Sequence, residues 1–228
     1  MQHAVWRLRQ ARLASSSKPF QARGGNIRRC GYCLVPATTC ICEQRPAVPV
    51  AAGFCLLMYD TEPLKPSNTG RLIADIAPQS TQAFLWRRTE PDPQLLALLA
   101  DPQWQPYVVF PAQYAHPGQQ VISTLLADHD GRRPLFILLD GTWTEAKKMF
   151  RKSPYLAALP VLTLAAEQDS GYGLRKAKVS GQLCTAEVGV KLLDLHHEQA
   201  AARALEAWFL LFRDNYLAAR TQHAADRE

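Results

Sequence analysis

Apolar and polar positions change their spacing repeatedly along this chain. The run Leu135-Phe136-Ile137-Leu138-Leu139 is apolar without interruption, the pattern of a strand covered on both faces. Similar short runs predict strands near residues 52–59, 82–86, 106–110, 134–139 and 160–165. Between them apolar residues recur at helical spacing, near 68–77, 93–100, 119–127, 142–150, 184–194 and 197–220. Asp92 before Pro93 marks a helix start, with an N-cap carboxylate and a proline in the first turn. Strand runs that alternate with helical stretches imply an α/β fold, a mainly parallel sheet with helices on both faces. The last helical stretch carries Leu205, Trp208, Phe209, Leu211 and Phe212, a face suited to the core or to a dimer contact, so monomer and homodimer both stay open.

The pattern also divides the chain. Residues 1–27 read as a short helix and a basic arm, broken by Ser15-Ser16-Ser17-Lys18-Pro19 and by Gly24-Gly25. Residues 28–48 form a small cysteine-bearing knuckle, 49–220 the α/β domain, and 221–228 a C-terminal tail. At 228 residues and 47% hydrophobic content the chain can bury a full core. The longest apolar stretch, Val48 to Tyr59, contains Pro49 and is too short to cross a bilayer, so no membrane segment is expected. No apolar signal core opens the chain, and the expectation is a soluble, cytoplasmic protein.

The net charge of +6 is unevenly spread. Residues 1–50 hold eight basic side chains against Glu43 alone, a net +7, and eighteen basic against nineteen acidic residues follow. Such segregation fits a nucleic-acid partner whose phosphates are neutralised without sequence readout. It also describes an organelle transit peptide or a solvated tail.

Cys30-Gly-Tyr-Cys33 and Cys40-Ile-Cys42 bring four thiols into one short stretch. That spacing suits a tetrahedral zinc closed by four thiolates, a structural site with no open position for water. Two disulfides or reduced core cysteines are the alternatives. Cys55 and Cys184 stand in apolar contexts and read as small core residues.

The strand 134–139 runs into Asp140-Gly141-Thr142-Trp143-Thr144-Glu145, and ligands bind at the carboxyl ends of parallel strands. Thr142 can cap the following helix and Glu145 can close a capping box, while Gly141 permits the turn. Those roles leave Asp140 and Trp143 without a local explanation beyond turn formation for the aspartate. Lys147, Lys148, Arg151 and Lys152, and further on Arg175, Lys176 and Lys178, form two basic clusters that suit an RNA phosphate path or solvated faces.

Asp140 to Trp143, with Ala146, Lys147 and Met149, resembles the signature of the DTW-domain family, the tRNA-uridine aminocarboxypropyltransferases. The four-cysteine knuckle, Pro66-Ser67-Asn68-Thr69-Gly70-Arg71-Leu72, Tyr172-Gly173-Leu174-Arg175-Lys176 and Leu183-Cys184-Thr185-Ala186-Glu187 are similar to other family motifs. Ala112-Gln113-Tyr114 departs from the Ser and acidic residues common after Phe110-Pro111, so only backbone contacts are expected there. The resemblance implies a fold similar to SPOUT methyltransferases, with a knotted C-terminal part, and S-adenosylmethionine as the group donor. It implies cofactor contacts at Phe110, Pro111, Leu139, Gly141, Thr142, Trp143, Arg175, Leu183, Cys184, Thr185 and Glu187. Asp140 is the candidate base for a uridine N3 proton, Arg175 the candidate fork for the amino acid carboxylate, and Trp143 the apolar wall for a base. RNA contacts are expected at Arg28, Arg29, Asn68, Thr69, Arg71, Lys147, Lys148 and Lys176, and tRNA is the expected partner. A methyltransferase with the same cofactor and a non-catalytic zinc-containing RNA-binding module are the rival readings.

Overall fold

The computed structural model describes residues 2–17, 20, 27–125, 131–164 and 183–225, with side chains of the last helix described as far as Ala219. Among these residues, helix α1 (Ala4–Ala14) precedes the knuckle, and strands β1 (Gly53–Met58), β2 (Thr81–Leu85), β3 (Trp104–Val109), β4 (Val121–Ile122), β5 (Arg133–Asp140) and β6 (Val161–Leu162) follow. Helices α2 (Gly70–Ile76), α3 (Pro93–Ala100), α4 (Trp143–Arg151), α5 (Thr185–Leu195) and α6 (Gln199–Ala225) connect or flank them. The strands pair in the order β2-β1-β5-β3-β6-β4, every pair parallel.

Alternation along the central strands explains why both faces are covered. Phe54, Leu56 and Met58 of β1 and Phe136 and Leu138 of β5 point into one core with residues of α1, α2, α5, α6 and the knuckle. Cys55 and Leu57 of β1 and Leu135 and Ile137 of β5 point into the other, against Leu95 of α3 and Ala146, Met149 and Phe150 of α4. Gly189 permits a close approach of three helices: a Cβ there would meet Ile73 of α2 at 2.8 Å and Leu205 of α6 at 3.0 Å.

The structure differs from the sequence pattern at several points. The helix predicted over 119–127 is absent from the described part of that segment, where Val121-Ile122 forms β4 instead. These two β-branched residues extend the sheet edge in register with Val161 and Leu162, and Gly118, at φ 79°, makes the turn that leads in. β6 is also shorter than the apolar run 160–165 suggested. The short N-terminal helix was expected, but it docks on the domain: Ala4 and Val5 are buried, the Arg9 guanidinium donates to the Leu64 carbonyl at 3.0 Å, and Arg12 pairs with Asp60 at 2.9 Å. The last helix continues to Ala225, past the boundary drawn at residue 220. No helix among the described residues is long and apolar enough to cross a membrane. The threading implied by the resemblance depends on the link from β6 to α5, which lies outside the described residues.

Candidate functional site

Three segments meet at the carboxyl ends of β1 and β5. Asp140 closes β5, and its backbone carbonyl accepts from the Tyr59 N–H at 2.9 Å. The Asp140 side chain is only 3% exposed. Its Oδ2 accepts from Asn68 Nδ2 at 2.7 Å, and its Oδ1 accepts from the Thr185 hydroxyl at 2.6 Å. Asn68 comes from the turn before α2 and Thr185 from the first turn of α5, so one carboxylate ties together segments distant in sequence. A Cβ at Gly70 would strike the Asp140 carboxylate, which accounts for glycine at that position.

Asn68 has further duties. Its Nδ2 also donates to the buried Glu62 at 3.2 Å, while its Oδ1 accepts the Arg71 N–H at 3.0 Å. Lys65 donates to the Glu62 carboxylate and lies 3.9 Å from Glu145. Glu62 and Lys65 were not singled out in the sequence, because nothing in Glu62-Pro63-Leu64-Lys65 signals that the glutamate is buried beside a residue 78 positions on.

The predicted capping box at the head of α4 is present: the Thr142 hydroxyl accepts from the Glu145 N–H, and Glu145 accepts from the Thr142 N–H at 2.7 Å. At Gly141 a Cβ would press on Glu145 and Tyr59 at 3.2 and 3.3 Å. Trp143 is half-buried and stacks on Phe110 with centroids 5.4 Å and planes 18° apart, with Tyr114 edge-on at 6.0 Å. Phe110 is buried, and Pro111 and Leu139 are half-buried around it. Leu183, Cys184, Thr185 and Glu187 open α5, where Glu187 accepts the Cys184 N–H at 2.7 Å and so closes a second box. Burial pushes the Cys184 thiol up. Arg175 and Lys176 lie outside the described residues.

In the knuckle the Sγ atoms of Cys30, Cys33, Cys40 and Cys42 all lie within 4.8 Å of one another. Cys30 and Cys42 are 3.6 Å apart, Cys33 and Cys40 3.8 Å, and Cys40 and Cys30 3.5 Å. A tetrahedron with metal–sulfur bonds of about 2.3 Å has edges of about 3.8 Å, so the four are positioned to hold a metal ion, in a geometry compatible with zinc. All four are free thiols, which removes the disulfide alternative. Burial alone would raise the Cys30 thiol, but backbone N–H groups of Tyr32 and Cys33 and the Cys40 and Cys42 side chains bring it down to about 7, whereas burial pushes the Cys33 and Cys42 thiols up.

A family model for the DTW domain matches residues 27–217. The chain belongs to the DTW-domain family. It is also similar to the tRNA-uridine aminocarboxypropyltransferase 2 of Drosophila melanogaster, at 25% identity over 171 residues, covering 72% of this chain. The chain spans 65% of the length of that relative. No solved structure matches it.

Within this DTW domain the residues expected to meet RNA divide into two groups. Arg28, Lys147 and Lys148 are exposed or half-exposed. Asn68 and Thr69 are buried at the Asp140 junction, with the Thr69 hydroxyl accepting the Ala186 N–H at 3.4 Å. Arg71, 3% exposed, donates to the Cys33 carbonyl, pairs with Asp75 at 3.2 Å and lies over the Phe212 ring at 4.5 Å. Its guanidinium serves the interior of the protein, where burial lowers its proton affinity and Asp75 restores part of it. Arg29, half-buried, donates to the Leu34 carbonyl at 3.0 Å and sits over Tyr216 of α6 at 5.2 Å, which holds the knuckle to the domain.

Proposed function

We propose that this protein transfers the 3-amino-3-carboxypropyl group of S-adenosylmethionine to N3 of a uridine in tRNA, releasing 5′-methylthioadenosine. The observation that carries the reading is the Asp140 carboxylate, held at the sheet's carboxyl edge by Asn68 and Thr185 in a chain of the DTW-domain family. The name of the Drosophila relative supports the same transfer.

The chemistry assigns a task to each element. Asp140 takes the N3 proton through a carboxylate whose two oxygens accept from Asn68 and Thr185. As the bond from N3 to the γ-carbon forms, the bond from that carbon to sulfur breaks and its electron pair stays on sulfur as a neutral thioether. Asn68 and Thr185 fix the direction in which Asp140 receives the proton. Arg175 grips the amino acid carboxylate in a bidentate fork, so that the γ-carbon and not the methyl group faces the nucleophile. Trp143, braced by Phe110, gives an apolar wall to a base. Backbone groups near Phe110, Pro111, Leu139, Gly141, Thr142, Leu183 and Cys184, with Glu187 ordering the start of α5, complete the cofactor site.

Cys30, Cys33, Cys40 and Cys42 hold a structural zinc, closed to water. Arg28 of that knuckle and Lys147, Lys148 and Lys176 of the domain contact tRNA phosphates. An activity on tRNA fits a cytoplasmic protein. Mass spectrometry of tRNA nucleosides from cells with and without the gene tests the reading: the aminocarboxypropylated uridine disappears with the gene. A tRNA pool that keeps it, or loses a methylated base instead, contradicts the proposal.

A further inference from the structure

Next to the edge that holds Asp140, an aromatic pair projects from the sheet that the proposed chemistry leaves unused. Tyr59 follows Met58 of β1 and Trp86 follows Leu85 of β2, two residues in register across the parallel pair. The rings stack with centroids 5.8 Å apart and planes 18° apart. Tyr59 is also the residue whose N–H donates to the Asp140 carbonyl, so the pair adjoins the reaction edge directly. Trp86 is held in place by its indole N–H, which donates to the buried Ser153 hydroxyl at 2.9 Å.

Cations surround this ledge. Lys148 of α4 extends its ammonium to 5.6 Å from the Tyr59 centroid and 5.7 Å from the Trp86 centroid, and it donates to the Tyr59 hydroxyl at 3.3 Å. Arg87 and Arg88, the two residues after Trp86, are exposed. Half-buried aromatic faces beside exposed cations meet the two requirements of an unpaired RNA strand, stacking for a base and charge for its phosphates. Duplex RNA does not offer its base faces, so the ledge suits a loop or a splayed nucleotide.

We propose that Tyr59 and Trp86 form a stacking platform for a nucleobase that flanks the target uridine in a single-stranded stretch of RNA, with Lys148, Arg87 and Arg88 neutralising its phosphates. The choice of uridine-containing RNA rests on the transferase reading; the platform is read by binding alone.

Full-length protein is titrated into fluorescently labelled oligouridine of about ten nucleotides, and into unmodified tRNA, over a range of potassium chloride concentrations. Arg87→Ala with Arg88→Ala should lower the slope of log affinity against log salt by about 1.4, since each single-strand phosphate contact contributes about 0.7. Trp86→Ala should weaken oligouridine binding by about 5- to 150-fold, the range for losing one stacked base, while Trp86→Phe keeps most of it. Tyr59→Leu, at the other ring, should also weaken binding and serves if Trp86→Ala fails to fold. Unchanged slope in the arginine double variant, unchanged affinity in the aromatic variants, or no binding of either RNA by the wild type would overturn the platform. If the variants lose RNA affinity while the wild type forms no methylthioadenosine, the transferase reading fails and the platform stands.

Discussion

The guanidinium of Arg71 donates to the carbonyl of Cys33, one of the four clustered cysteines, from inside the domain. The backbone N–H of the same Arg71 donates to Asn68, and Asn68 in turn donates to Asp140. The knuckle and the candidate site are therefore joined by three consecutive hydrogen bonds, and α2 is the rigid piece between them. Asp75, one turn along α2, accepts from Arg71 and from the Trp208 indole at 3.0 Å and faces His3 at 3.3 Å.

Arg71→Leu removes one partner of a buried ion pair and leaves Asp75 without it. The expected cost is about 3–5 kcal/mol of unfolding free energy. The double variant Arg71→Leu with Asp75→Leu should cost less than the single, because the buried Asp75 charge is removed together with its Arg71 partner. Urea denaturation of the two variants checks the order, and metal release to a chelator should accelerate in the single variant.

The knuckle should carry one zinc per chain, and Cys33→Ser should release it while the sheet stays folded. Thiol titration gives a second readout. Burial pushes Cys55 up to about 12, so it should not react with a thiol reagent at neutral pH, whereas Cys30, brought down to about 7, should become reactive once a chelator is added. Freshly purified protein with well under one metal per chain would count against the site.

Much of this could be seen in the sequence because it is local. Thr142 and Glu145 are three residues apart and Asp92 adjoins Pro93, so their capping roles depend only on spacing. The uninterrupted apolar run in β5 reveals a strand covered on both sides, and two close cysteine pairs reveal thiols positioned to hold a metal ion. The contact of Asn68 with Asp140 spans 72 residues and exists only once β1 and β5 are paired, so no window of sequence contains it. Arg71, near the start of the predicted helix 68–77, reads as an RNA contact, and only Asp75 four residues later hints at an internal pair. Val121-Ile122 shows the opposite failure: residues that fit a helical pattern pair with β6, because an unpaired sheet edge lies beside them.

Acid should reach Asp75 late. Burial opposes its charge, but His3, Arg71 and Trp208 outweigh that and hold its carboxyl below the ordinary value. A carboxyl lowered in the folded state adds stability above its unfolded value of about 3.9, and that contribution is lost as pH falls through the folded value. Asp75→Asn should therefore be less stable than wild type at pH 7 and lose less stability below about pH 4. Parallel stability curves for the two proteins through that range would show that Asp75 is not coupled in this way.

Asp140→Asn keeps the size of the side chain but cannot take up a proton. Bound S-adenosylmethionine and tRNA should be retained, and single-turnover transfer should fall by about 10²–10⁴-fold, with partial recovery as pH rises. Loss of binding instead would make Asp140 a positioning residue for Asn68 and Thr185. An unchanged rate would remove it from the chemistry.

The central claim is tested most directly by the products of one turnover. Purified protein is mixed with S-adenosylmethionine and unmodified tRNA, and the small-molecule product and the tRNA nucleosides are identified by mass spectrometry. 5′-Methylthioadenosine and an N3-aminocarboxypropylated uridine should form in equal amounts; S-adenosylhomocysteine with a methylated nucleoside, or tRNA bound but unmodified, would contradict the aminocarboxypropyl transfer.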